Sequence, residues 1–267
     1  MIRATLASAM LFIVFMSLLS AADTRPKIAI IIDDLGWQIG VAERTIELPG
    51  PIACAVLPQA PAARTVATRA HAKGKDVLLH LPLQAMSREQ PEEPGGITLD
   101  MNRQDFAEVF AADMAAVPHV VGVNNHRGSL LTRHPGHMRW LMEEIAARDG
   151  LFFVDSYTTH LSVALSAAQE SGVPARRRDV FLDADAAPES IAREFERLKR
   201  LASKHGAAIA IGHPYPTTLD FLEKALPGLE EDGFSLVSIR ELVIGEAVES
   251  IMQAQTVEDA GTQEQEY

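Results

Sequence analysis

The sequence predicts a parallel α/β fold, either a closed barrel or an open doubly wound sheet, and three observations lead there. Eight short apolar runs recur along the chain, most of them separated by helix-length segments. The first run, Ile28 to Ile32, is apolar at every position, as a parallel strand covered on both faces requires. Carboxylate and imidazole side chains stand where several of the runs end. Strand–helix alternation builds parallel sheets because each helix is the crossover that returns the chain to the starting edge.

The remaining strand candidates are Ile52 to Leu57, Val77 to Leu81, Val120 to Val123, Leu151 to Val154, Val180 to Leu182, Ala207 to Ile211 and Phe234 to Ile239. Between them, one helix runs from about Ala60 to the Lys73-Gly74 stop. Asp100 reads as the N-cap of a helix carrying Phe106, Val109, Phe110, Met114 and Val117 at helical spacing. Pro188 suits the first turn of another, which carries Ile191, Phe195, Leu198 and Leu201 and stops at His205-Gly206. The segment from Gln84 to Leu99, with Glu89, Pro91, Glu92, Glu93, Pro94 and Gly95, reads as a surface loop that could wall a cleft.

With 267 residues, 47% apolar and 22% charged, the chain can build a full core, and no composition break divides it. Residues Met1 to Ala22 carry Arg3, a long apolar run and Ser20 and Ala22 at the positions a signal peptidase reads. They are expected to be a signal peptide cut before Asp23, an uncleaved anchor being the alternative. Either places the body across a membrane, in the periplasm or secreted. Residues 23–245 then form a single domain with no further spanning stretch, and 246–267 an acidic, disordered tail. A net charge of −12, from 24 basic and 36 acidic residues, argues against a general nucleic-acid binder and against adhesion through a polybasic face. Cys54 is the only cysteine, so an intrachain disulfide and a cysteine-built metal site are excluded; its apolar run marks it as a buried thiol. The phosphate-cradling signatures GxGxxG and GxxxxGK[ST] are absent.

The strand ends carry the chemistry. They present Asp33-Asp34, His80, the run Asn124-Asn125-His126-Arg127, Asp155-Ser156, Asp183 and Gly212-His213, and in parallel α/β folds such ends converge on the ligand site. Four of them have a plainer reading. Asp33 and Asp34 could cap the next helix, His80 could be a core histidine, Asn125-His126 an ordinary turn, and His213 structural. His71, His134, His137 and His205 read as surface histidines. Jointly, one carboxylate and two imidazoles, from Asp34, His80 and His126, suit Zn²⁺ and leave a position for water. Asp33 could then accept a proton from that water and His213 donate one to a leaving group, with Asp155 either orienting an imidazole or holding substrate.

Six ordered segments, IAIIIDDLG (28–36), VLLHLPL (77–83), GVNNHRGS (122–129), FVDSYTT (153–159), RDVFLD (178–183) and AIGHPYPTTL (210–219), resemble the divergent polysaccharide deacetylase family over Lys27 to Leu242. The resemblance implies an irregular (β/α) barrel of seven to eight mainly parallel strands and the metal-dependent removal of N- or O-acetyl groups from sugar polymers. It implies Asp33 as catalytic base, Asp34 and His80 as metal ligands and His213 as general acid. Gln84 stands where a second ligand histidine is expected, four residues after His80, and His126 is its replacement from another strand end. Arg127 and Tyr157, with Asn125, Asp155 and Ser156, are candidates for binding substrate or supporting the site. The expected cofactor is one divalent metal, zinc best matching the ligands; the expected partner is an acetylated, peptidoglycan-like glycan. The alternative is a non-catalytic periplasmic protein that binds glycan or regulates the envelope and retains the pocket.

Overall fold

The computed structural model describes residues 23–87 and 95–247. The leader, the 88–94 part of the acidic loop and most of the acidic tail therefore lie outside the described residues. Along the chain run β1 (Lys27–Leu35), α1 (Ile39–Ile46), β2 (Ala53–Val56), α2 (Ala63–Ala72), β3 (Val77–Leu83), α3 (Arg103–Ala116), β4 (Val120–Arg127), α4 (Pro135–Ala146), β5 (Phe152–Asp155), α5 (Ala164–Glu170), β6 (Ala175–Arg177), β7 (Val180–Phe181), α6 (Pro188–His205), β8 (Ala207–Gly212), α7 (Pro216–Ala225) and β9 (Ser235–Leu236). A last helical stretch occupies 239–247.

The strands lie in the order β6-β5-β4-β3-β2-β1-β8-β7, every neighbouring pair parallel, with β9 beside β1. This is an open, curled half-barrel rather than the closed barrel that was one expectation. Arg178 N–H donates to Asp155 O (3.0 Å) on β5, whereas Asp179 N–H donates to Ile209 O (2.9 Å) on β8. One short extended segment thus leaves one edge and joins the other, so β6 and β7 follow each other and form no ladder together. The strand β6, Ala-Arg-Arg, has no apolar run and escapes a hydrophobicity reading.

Strand alternation divides the core in two. Ile28, Ile30, Ile32, Cys54, Val56, Leu79 and Leu81 face the helices, while Ala29, Ile31, Ala53, Ala55, Leu78, Phe152, Val154, Ile209 and Ile211 fill the inside of the curl. Ile239, Leu242 and Val243 join this inner layer. Gly122 is required there: a Cβ on it would meet the Phe152 ring at 2.5 Å. Cys54 is fully buried, as expected, and burial pushes its thiol up to about 12.

Helix ends follow the sequence with one correction. Gly206 closes α6 at φ 83°, and Pro188 opens it. The N-cap of α3 is not Asp100 but Asn102, whose side chain accepts from the N–H groups of Gln104 and Asp105; Asp100 accepts from Thr98 Oγ1 instead.

On α3, Asp113 is a buried carboxyl whose one hydrogen bond comes from Gln59 Nε2 (3.1 Å), with Oδ2 unpartnered. Burial pushes it up to about 7, against the Gln59 bond. Below pH 4 folded and unfolded chains both hold this proton. Between pH 4 and 7 the unfolded chain releases it first, so stability falls with rising pH and stays lower above 7. Asp113→Asn is expected to stabilise the protein by about 1–3 kcal/mol at pH 8 and by almost nothing at pH 4. Urea unfolding at the two pH values checks this; an equal gain at both defeats it.

Candidate active site

The inward-facing rows that begin as apolar layers end in polar residues at the C-terminal edge. Ala29 and Ile31 lead to Asp33, Leu78 to His80, and Phe152 and Val154 to Ser156; Ile209 and Ile211 lead to His213. On β4 the register sets His80 opposite Asn124 and Pro82 opposite His126. Strict alternation would turn Asp34 outward. It stands at φ 58°, within the irregularity between Ile32 and Leu35, and so reaches the site beside Asp33. Neither aspartate caps α1, whose N-cap is Gln38.

Asp34 Oδ1 lies 3.1 Å from His80 Nε2 and 3.0 Å from His126 Nδ1, and the two nitrogens are 3.2 Å apart. Among the described residues these three form the one cluster of at least three metal-ligating side chains. Bonds of about 2 Å at tetrahedral angles separate ligand atoms by about 3.3 Å, so the triangle fits a small divalent cation. Asp34 Oδ1 is also buried and accepts no hydrogen bond, an orphan acceptor that a cation satisfies. Burial acts to raise Asp34, but the imidazoles of His126 and His80 outweigh it and hold the carboxyl well below its usual range.

Asn124, unassigned from sequence, links the parts. Its Nδ2 donates to Asp33 Oδ1 (2.8 Å), which leaves its Oδ1 to accept from His80 Nδ1 (2.9 Å). His80 then carries its proton on Nδ1 and presents the Nε2 lone pair to the triangle. Asp33 is buried and 3.6 Å from His80 Nε2. Burial raises its carboxyl above the usual range, against the pull of His80 and His213, and a cation held at the triangle would favour the ionised form. Across from these, His213 Nδ1 bonds to buried Asp183 Oδ1 (3.0 Å), and Asp183 Oδ2 accepts from His213 N–H (2.6 Å) and Thr218 Oγ1 (2.8 Å). His213 Nε2 therefore faces the site, 3.7 Å from Asp34 Oδ2. Burial lowers the His213 pKa, but Asp183 beside it dominates and the net shift is upward. The sequence shows Asp183 only as a strand end.

The other candidates separate. Asn125 borders the reaction cavity, but its side chain serves the backbone on the helix side, where its amide donates to Arg127 O (2.7 Å) and its Oδ1 accepts from Ser156 N–H (2.8 Å), lashing β4 to β5. Asp155 also points outward, accepting from Tyr157 N–H (2.8 Å) and Ser162 Oγ (2.7 Å); it holds a turn and touches no imidazole. Arg127 and Tyr157 (φ 55° and 51°), with Ser156, line a cavity of about 430 Å³ that also contains Asp33, His80 and His213. Gln84 serves the loop after β3: its Oε1 accepts from Leu99 N–H (2.9 Å) and its backbone bonds Ile97. Of the expected surface histidines, His137 instead packs between Phe106 and Trp140.

This fold and site define a deacetylase-like α/β protein with a candidate divalent-metal centre. The sequence matches the model of the family "Divergent polysaccharide deacetylase" over residues 30–243, and the chain belongs to that family. It is 37% identical over 206 residues to the uncharacterized protein YibQ of Escherichia coli strain K12, an alignment that covers 77% of this chain and only 64% of YibQ. Among solved structures, an uncharacterized protein from Agrobacterium tumefaciens C58 superimposes with a TM-score of 0.80 at 21% identity, over 84% of this chain and 91% of that one. A T48 deacetylase with substrate superimposes with a TM-score of 0.53 at 14% identity, over 83% and 92%. At these identities the structural matches speak for the fold alone.

Proposed function

We propose that this protein is a metal-dependent hydrolase that removes acetyl groups from a polysaccharide of peptidoglycan-like or other exported type. The observation that carries this reading is the Asp34–His80–His126 triangle with Asp33 on one side and His213 on the other. Asp34, His80 and His126 would hold one divalent ion, zinc best matching two imidazoles and a carboxylate, and that ion would supply acidified water and a polarised carbonyl. Asp33 accepts the proton of the attacking water, its position fixed by Asn124. As the acetyl C–N or C–O bond breaks, His213 Nε2 donates a proton to the leaving amine or hydroxyl, with Asp183 holding the ring. Family membership supports the substrate class.

The test is metal content and acetate release of protein purified without a histidine tag, on N- and O-acetylated oligosaccharides. One divalent ion per chain and release that a chelator stops and zinc restores are expected; release indifferent to the chelator overturns the reading. We further propose export, from Arg3, the apolar run and the Ser20-Ala21-Ala22 ending. Envelope-fraction protein should begin at Asp23 or within a few residues, and cytoplasmic protein retaining Met1 defeats this. Among the described residues no helix is long and apolar enough to cross a membrane.

A further inference from the structure

We infer that Arg178 and Ser156 form a carboxylate-binding site in the wall of the reaction cavity. Both line the 430 Å³ space that holds Asp33, His80 and His213. Arg178 is partly buried, and its Nε donates to Ser156 O (2.8 Å) while Nη2 makes a long contact to Tyr157 O (3.3 Å). Its guanidinium carbon lies 4.8 Å from the Phe181 ring centre. Neither nearby carboxylate pairs with it. Asp33 Oδ1 takes the Asn124 amide and Oδ2 faces His80, while both Asp155 oxygens are taken by Tyr157 N–H and Ser162 Oγ. Among the described residues no acidic oxygen lies within ion-pair distance of Arg178, although burial works against its charge.

Ser156 makes the same demand from the adjacent position. It is 6% exposed, and its Oγ makes no hydrogen bond. A half-buried cation without a counter-ion and a buried hydroxyl without a partner, in one cavity, are both answered by a ligand with two acceptor oxygens. The planar guanidinium suits a carboxylate better than a point acceptor. The site is preformed, because Tyr157, whose carbonyl helps fix Arg178, is itself held at φ 51° by its N–H bond to Asp155. Arg177 lies over the Tyr157 ring at 4.8 Å, a second cation beside this wall.

Two sources supply a carboxylate here: acetate leaving the reaction, or an acidic substituent on the sugar. Naming these sources rests on the hydrolase reading above; the binding site itself does not. The test is equilibrium binding of sodium acetate, N-acetylmuramic acid and N-acetylglucosamine, the two sugars differing by one carboxylate-bearing ether, to protein as purified and after chelation. Wild type should bind acetate or the acidic sugar, and Arg178→Gln should weaken that binding about tenfold or more in both preparations. Arg178→Lys should recover part of it. A preference for N-acetylmuramic acid over N-acetylglucosamine, lost in R178Q, assigns the site to an acidic glycan; acetate binding without that preference assigns it to the product. Should R178Q fail to fold, Ser156→Ala is the second variant, since the hydroxyl holds nothing in the fold, and it should weaken the same ligands several-fold. Equal affinities in wild type and variants reduce Arg178 to a clamp on residues 156–157 and overturn the proposal. Failure of the hydrolase reading, with no metal and no acetate released, leaves these affinities unchanged.

Discussion

His80→Ala and His126→Ala will each weaken binding of a divalent ion by about a hundredfold or more, a larger loss than the 10–100-fold typical of residues that only support metal ligands. The argument is geometric. Three donor atoms 3.0–3.2 Å apart leave one position at bonding distance from all of them, and losing one leaves a two-ligand site that water completes poorly. Asn124→Ala should fall in the lower range, about 10–100-fold, because it frees the His80 tautomer without removing a ligand. His126 is partly exposed at the cavity wall, so H126A should fold; His80 is buried, and its variant is read alongside a thermal melt. Titration with zinc against a chromophoric competitor measures all three. Full metal occupancy in both histidine variants means that the triangle is not the ligand set.

Much of this was legible in the sequence, and what was not has identifiable causes. A continuous apolar run announces a strand buried on both faces, which is why β1 and β8 stand out, and β3 with only His80 interrupting it, while β6, three residues with two arginines, does not. The candidate ligand residues were legible because strand ends are where a parallel sheet places its chemistry. Their supporting partners were not: Asn124 and Asp183 look like any polar residue near a strand end, and only the fold shows that one bridges His80 to Asp33 and the other holds His213. Alternation decides the rest. Asp155 and Ser156 are adjacent, but the carboxylate faces the helices and the hydroxyl faces the cavity, the reverse of what their chemical strength suggests. Asp34 breaks the same rule through a backbone conformation that no composition or periodicity encodes.

Asp33→Asn will keep the ion and lose the reaction. Asparagine preserves the shape, and its amide oxygen can still accept from Asn124, so the triangle next door should keep its geometry. It cannot take a proton, and removal of a positioned base costs about 10²–10⁴ in rate. His213→Ala should lose a comparable factor, again with metal retained, since its Nε2 stands 3.7 Å from Asp34 without completing the triangle. Asp183→Asn separates positioning from proton transfer. It leaves the imidazole in place but removes the charge that fixes its Nδ1 proton, so kcat should fall with KM almost unchanged. Acetate release and metal content are measured side by side for wild type and the three variants. Loss of metal in D33N makes Asp33 a ligand rather than a base. If wild type retains its ion yet releases acetate no faster than D33N from any acetylated glycan, the cavity binds glycan without cleaving it, and a binding or envelope-regulatory role replaces hydrolysis.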